Sequence, residues 1–179
     1  MKKPSFMENE YPEKIALIGY MGAGKTHMGR ALAAHLKRPF FDLDGVVGQM
    51  CGCNQSDLMR RKGEMAFREA ENKALQMVLS KDNFVLACGG GTPAYYDNID
   101  LLTSEAKVVY LDCKIPTLAK RLLPEKTQRP LIEKIEDEEL EEFIAKHLFE
   151  RRPYYEKAHI RVAADELTIE ELASHLTGE

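Results

Sequence analysis

Gly19-Tyr20-Met21-Gly22-Ala23-Gly24-Lys25-Thr26 fits the pattern G-x-x-x-x-G-K-[ST] at every fixed position. It follows the apolar, β-branched run Lys14–Gly19 (KIALIG) and precedes Lys25–Lys37, where Met28, Ala31, Leu32 and Leu36 recur at helical spacing. Strand, glycine turn and helix in that order are the context in which such a loop cradles phosphate. Gly19, Gly22 and Gly24 let the backbone N–H groups turn inward. The helix beginning at Lys25 adds unpaired N–H groups and the positive end of its dipole. Lys25 supplies a mobile point charge for the β and γ phosphates, and the Thr26 hydroxyl is placed for Mg²⁺. A chance glycine turn ahead of a helix is the competing reading, which four fixed positions and correct flanks disfavour. The chain is expected to bind a nucleoside triphosphate or its diphosphate product.

Further short apolar runs alternate with helical patterns. Strands are expected over Arg38–Asp42 (RPFFD), Asn83–Cys88 (NFVLAC), Lys107–Asp112 (KVVYLD) and His159–Ala163 (HIRVA). Two short helices follow Asp44, divided by the turn-like Cys51–Asn54, and Gly63 breaks the chain before a longer helix over Glu64–Ser80. Pro116–Leu123, Asp137–Tyr155 and Thr168–Leu176 also read as helices. This alternation predicts an α/β fold, a parallel sheet covered on both faces. Residues 1–13, polar and holding Pro4 and Pro12, are expected to form a loose leader to a single domain over 14–179.

A chain of 179 residues, 44% hydrophobic and 30% charged, can bury a core without metal or disulfide staples. Its formal net charge of -4 argues against nucleic-acid binding through phosphate neutralisation. No apolar run is long enough to span a bilayer, and the two N-terminal lysines precede no apolar stretch of a secretory signal. Cys51, Cys53, Cys88 and Cys113 are therefore read as reduced thiols of a cytoplasmic protein, without zinc-ligand spacing. Seven carboxylates against one lysine in Glu133–Glu142 read as a solvated helix start rather than a metal site.

A GTPase would carry N-K-x-D; the sole Asn-Lys pair, Asn72-Lys73, continues into Ala74-Leu75 within a helix, so a small-molecule kinase is the leading class. Asp42 and Asp44, at the end of the second strand, would project alike toward the ligand crevice. Asp42 would assist Mg²⁺ through water and Asp44 would accept from a substrate hydroxyl, although capping or turn aspartates remain an equal reading. Asp112 ranks below Asp42 as a metal carboxylate. Gly89-Gly90-Gly91 suggests close approach of backbone to ligand. Arg68 is either the helical partner of Glu64 or Glu71, or a carboxylate-binding guanidinium. Arg129 lies in a proline-bounded polar segment suited to a lid, and Arg151 and Arg152 sit near a helix end.

Taken together, GYMGAGKTHMGR (19–30), FFDLD (40–44), GEMAFREAE (63–71), the glycine triplet, RPL (129–131) and RRPYYEKA (151–158) resemble the shikimate kinase family over the chain from phosphate loop to final helix. The resemblance implies a three-layer αβα P-loop kinase with a five-stranded parallel sheet in the order 2-3-1-4-5. It also implies a substrate-binding subdomain near 44–70 and a lid near 124–135. It implies ATP and Mg²⁺, with Gly22, Ala23, Gly24, Lys25, Thr26 and His27 around the nucleotide and Thr26 and Asp42 at the metal. Asp44, Arg68, Gly89, Gly90, Gly91 and Arg151 would contact shikimate, and Arg129 would reach the phosphates; Lys25, Asp44 and Arg129 would be the catalytic set. Arg121 would lie against adenine. The expected reaction is transfer of the γ-phosphoryl to the 3-hydroxyl of shikimate, in chorismate and aromatic amino acid biosynthesis. The enzyme is expected to be a cytoplasmic monomer without a nucleic-acid or membrane partner.

Three departures fall in the acceptor region. Gly48 stands where the family commonly has Glu, Met59 where an aromatic residue is common, and Asn54-Gln55 replaces a more apolar pair. They bear on acceptor affinity rather than nucleotide binding. A kinase for another hydroxy acid, such as gluconate, and a non-catalytic nucleotide-binding regulator are the alternatives. Lys25→Ala is expected to abolish turnover by removing charge at the β and γ phosphates; a rate within a few-fold of the parent would contradict the phosphate-loop assignment.

Overall fold

Four consecutive residues of the first strand, Ile15–Ile18, are wholly buried, which places that strand inside a sheet rather than at its edge. In the computed structural model, which describes residues 10–178, β1 (Lys14–Ile18) lies between β3 (Phe84–Ala87) and β4 (Lys107–Asp112). β2 (Phe40–Asp42) and β5 (Ile160–Ala163) form the edges, giving five parallel strands in the order β2-β3-β1-β4-β5. All strand C-termini therefore open on one side, where ligand crevices of such sheets lie. The register pairs Leu17 with Ala87 and Ile18 with Tyr110, so the phosphate loop, the glycine triplet and Asp112 leave the sheet at nearly one level.

The helices follow the sequence pattern. α1 (Lys25–Leu36) turns Met28, Leu32 and Ala33 into the core, α4 (Glu64–Leu79) turns in Phe67, Ala74, Leu75 and Val78, and α7 (Leu140–Tyr155) turns in Ile144, Leu148 and Tyr155. α2 (Leu43–Cys51) and α3 (Gln55–Lys62) are short and pack on α4. α6 (Ile115–Leu122) follows β4, and α8 (Ile169–Thr177) starts on a capping box between Thr168 and Glu171. Among the described residues no helix is long and apolar enough to cross a membrane.

The structure departs from the sequence reading at several places. α5 (Asn98–Glu105) is a helix the pattern did not announce. Its first residue, Asn98, is wholly buried and satisfied by Asn72 Nδ2 at 2.7 Å and the Thr92 carbonyl at 3.0 Å, a polar contact that apolar periodicity does not register. The helix expected from Asp137 opens as a 3₁₀ turn over Asp137–Glu139 before α7. Asp44 is not a strand residue: the Asp42 carboxylate accepts from Gly45 N, capping α2, so Asp44 enters from a first helical turn rather than by strand alternation. The leader expected over 1–13 falls outside the described residues up to position 9. Beyond it, Arg38 donates to the carbonyls of Tyr11, Pro12 and Glu13, so this stretch is tied down rather than loose. Asp112 is paired with Arg161 at 2.6 Å and accepts from the Tyr110 hydroxyl, which occupies it away from the phosphate loop.

Candidate active site

Two clefts lie on the C-terminal side of the sheet. The larger, about 710 Å³, is lined by Gly22–Thr26, His27, Asp42 and Asp44 and, opposite them, by Arg121, Arg129 and residues 164–167. The smaller, about 380 Å³, is lined by Met59 of α3, Arg68 of α4, His147 and Arg151 of α7 and the glycine triplet. Met21, Asp44, Gly89, Gly90 and Arg129 line both. The proposed contacts from six separate stretches of sequence thus converge on two adjoining spaces.

The larger cleft is built around a helix start. Gly24 (φ 90°) precedes α1, and no side chain caps the first turn, so its N–H groups face the cleft unpaired. At Gly19 (φ 146°) a side chain would strike the Leu111 carbonyl at 2.6 Å. Lys25 is buried with its Nζ donating to the carbonyls of Gly19 and Tyr20, each at 2.8 Å. Burial lowers its pKa to about 8, partly offset by Asp44. Thr26 Oγ1 donates to Asp42 Oδ2 at 2.8 Å, bringing together the two groups expected at a metal. Arg121 donates to the carbonyls of Gly22 and Asp165 at 3.2 and 3.1 Å, clamping the phosphate loop to the segment after β5. Arg129, directly after the 3₁₀ stretch Leu123–Gln128 that follows α6, is paired with Glu125 of that stretch at 2.6 Å.

In the smaller cleft Arg68 is the helical partner of both glutamates. It pairs with Glu71 at 2.9 Å and more weakly with Glu64 at 3.4 Å, yet still lines the cleft. Its Nε is buried without a partner. Gly91 permits this approach, since a Cβ there would lie 2.6 Å from Arg68 Nη2. Gly90 is held by the Tyr155 hydroxyl, which donates to its carbonyl at 2.6 Å. Asp44 sits between the clefts. Burial, together with the nearby carboxylates of Glu71 and Asp42, raises its pKa to about 6.

The sequence reading did not single out Tyr95, Tyr20, His147 or Tyr155. Tyr95 stands between the two expected acid-binding arginines, with the Arg68 guanidinium 4.1 Å and the Arg151 guanidinium 5.2 Å from its ring centre. Its hydroxyl donates to Glu64 at 2.8 Å. No local pattern marks Tyr95, which lies four residues past Gly91 and meets its arginine partners only through the fold. Gly48 lines neither cleft, whereas Met59 faces the smaller one.

Two spaces meeting at one carboxylate, one of them built on a phosphate loop, suit group transfer between two bound small molecules. On this sheet order they define a P-loop kinase. A family model described as shikimate kinase matches residues 21–178. The shikimate kinase of Flavobacterium johnsoniae is 42% identical over 161 residues, covering 89% of this chain and 94% of its own. The crystal structure of the Bacteroides thetaiotaomicron shikimate kinase superposes with a TM-score of 0.86 at 38% identity, covering 93% of this chain and 97% of that one. The Acinetobacter baumannii shikimate kinase, solved in complex with shikimate, gives a TM-score of 0.82 at 33% identity, covering 90% and 89%. This chain belongs to the shikimate kinase family, and it is an enzyme.

The raised pKa of Asp44 makes a prediction about stability. Between about pH 4 and about pH 6 the folded state holds a proton that the unfolded chain releases, so this carboxyl's contribution falls as pH rises through that window. Asp44→Asn is therefore expected to raise unfolding stability at pH 7 by up to about 3 kcal/mol and to flatten the slope across the window. Urea unfolding of both proteins at several pH values tests this; equal stability at pH 7 would contradict it.

Proposed function

We propose that the protein transfers the γ-phosphoryl group of ATP to the 3-hydroxyl of shikimate, giving ADP and shikimate 3-phosphate, with Asp44 as the acceptor-side base. The observation that carries this reading is the position of Asp44, the acidic side chain shared by the phosphate-loop cleft and the arginine-lined cleft. Family membership supports the reaction, and the residue roles rest on the family resemblance together with the geometry.

The nucleotide suits the larger cleft. Uncapped N–H groups at α1, glycines without Cβ atoms and the buried ammonium of Lys25 all answer negative charge. Lys25 satisfies itself on two loop carbonyls and would exchange these for β- and γ-phosphate oxygens. Thr26 would hold a Mg²⁺ and Asp42 would assist it through water, with phosphate and water as the other ligands. Among the described residues no cluster of three or more His, Cys, Asp or Glu forms an all-protein cage. The metal, when bound, supplies charge neutralisation across the phosphates. Arg129, lining both clefts, would leave Glu125 for the transferring group as the segment near 124–135 closes.

The acceptor is an anionic triol. Arg68 offers its unpartnered Nε, and Arg151 adds a second guanidinium, for the carboxylate. The bare backbone of Gly89-Gly90-Gly91 lets the ring lie close. Asp44, with a pKa of about 6, is ionised at neutral pH and can accept the hydroxyl proton. The acceptor oxygen then bonds to the γ-phosphorus in line as the bond to the β,γ-bridging oxygen breaks, and ADP carries away the electron pair. A substrate-binding subdomain near 44–70 would comprise α2, α3 and the start of α4.

ADP release with Mg·ATP should be saturable with shikimate and absent with gluconate or nucleoside monophosphates. Turnover with a different acceptor alone would overturn the substrate assignment. Arg68→Ala is a poor probe, because it leaves Glu71 buried without its ion partner, at a cost of about 3–5 kcal/mol. Arg68→Lys keeps the charge and loses the fork; it should raise the shikimate KM by roughly tenfold or more while sparing the ATP KM. An equal rise in both constants would confine Arg68 to a structural role.

A further inference from the structure

His147, in the smaller cleft, ties that cleft to the phosphate loop by contacts that the phosphoryl-transfer reading does not use. It lies on α7 one turn before Arg151, and its Nε2 accepts from Arg151 Nε at 3.3 Å. Its Nδ1 is 2.9 Å from the Tyr20 hydroxyl, and Tyr20 directly follows the first glycine of the phosphate loop. The ring meets Tyr20 edge-on, with centres 5.5 Å apart, and leans on Phe143 at 5.6 Å. The half-buried imidazole is thus fixed on both nitrogens and both sides.

The hydrogen-bond roles follow from the partners. Arginine Nε always carries hydrogen, so the Nε2 facing it must present its lone pair. The ring is then neutral with its hydrogen on Nδ1, which donates to the Tyr20 oxygen. We propose that His147 in this form is a positioning residue for the acceptor site, bracing Arg151 against the phosphate loop so that its guanidinium faces the acceptor's carboxylate. Protonation at Nε2 would set N–H against N–H and one positive charge against another, releasing that brace. The proposal rests on the reading of Arg151 as an acid contact.

The charged and titratable groups around the ring favour the neutral form. Burial lowers the His147 pKa, and Arg151 on α7 and Arg68 on α4 act in the same direction. Glu150 on α7 and Glu64 on α4 oppose them, and the Tyr20 hydroxyl stays protonated because burial raises its pKa. Burial and the two arginines thus hold the imidazole in its neutral form more strongly than water would.

Steady-state kinetics from about pH 5 to about pH 8, with shikimate and ATP varied separately, test this together with imidazole ¹⁵N shifts of the parent protein. The shifts should show Nδ1 protonated; a ring protonated at Nε2 alone would overturn the proposal. His147→Phe should raise the shikimate KM roughly tenfold and leave kcat and the ATP KM within about twofold. His147→Gln, whose amide oxygen can accept from Arg151 Nε and does not titrate, should keep most of the affinity at neutral pH. It should also lose the rise in shikimate KM that the parent shows on acidification. The Asp44 titration, expected in kcat, should persist in both variants.

An unchanged shikimate KM in His147→Phe, an equal rise in the ATP KM, or an acid-side rise retained in His147→Gln would each overturn the positioning role. Arg151→Ala separates the two layers of the argument. If it leaves the shikimate KM unchanged, the acid-contact reading itself fails. If it raises that KM while both His147 variants behave as the parent, only the brace fails.

Discussion

Taking a carboxylate wholly out of water costs several kcal/mol unless a charge and hydrogen bonds accompany it. Glu71 is buried completely, and its companions are Arg68 Nη1 at 2.9 Å and Thr92 Oγ1 at 2.5 Å. The Thr92 bond fixes α4 to the turn after β3, since Glu71 lies on the helix and Thr92 follows the glycine triplet. The buried ion pair also dictates residue types around it. A Cβ on Gly89 would come within 2.9 Å of Glu71 Oε1, and one on Gly91 within 2.6 Å of Arg68. The same buried negative charge helps to raise the pKa of Asp44. The buried Glu71 and its ion pair therefore set the direction of the guanidinium proposed to bind the acid, the bareness of the backbone beside it and the basicity of the shared carboxylate.

The phosphate loop and the alternation of strands and helices were legible because each rests on contacts close in sequence: glycine conformations, strand runs and the periodicity of α1 and α4. The acceptor cleft was less legible from spacing. Arg68 with Glu64 and Glu71 has the separations of an ordinary helical ion pair, and only the unpartnered Nε and the neighbouring Gly91 distinguish it from one. Asp42 and Asp44 reached the same cleft by a route other than strand alternation, because the cap at Asp42 starts a helix immediately. Resemblance to a family carried the assignment there. Tyr95, Tyr20 and His147 were invisible to both approaches. Their partners lie far along the chain, 127 residues away for the Tyr20–His147 contact, and an isolated aromatic or histidine carries no pattern.

The site is also where the fold accepts groups that water would favour. Lys25 is buried and its charged form is disfavoured, Asp44 is buried beside like charges, and an Arg68 nitrogen lacks any partner. Each is a fault by the standards of a packed core, where buried polar groups find partners. Each also has the sign opposite to a group on one of the two proposed ligands, or accepts a proton from it. Arg68 and Arg129 are each held by a carboxylate, whereas Lys25 and Asp44 make no hydrogen bond to each other. Lys25 is held by carbonyls rather than by Asp44, and Arg129 by Glu125 outside the junction. A site that satisfied itself completely would bury the same polar groups at less cost and leave no unmet interaction for the transferring group to strengthen. Two clefts with unmet demands, meeting at a single carboxylate, make occupancy of both the condition under which the charges are balanced.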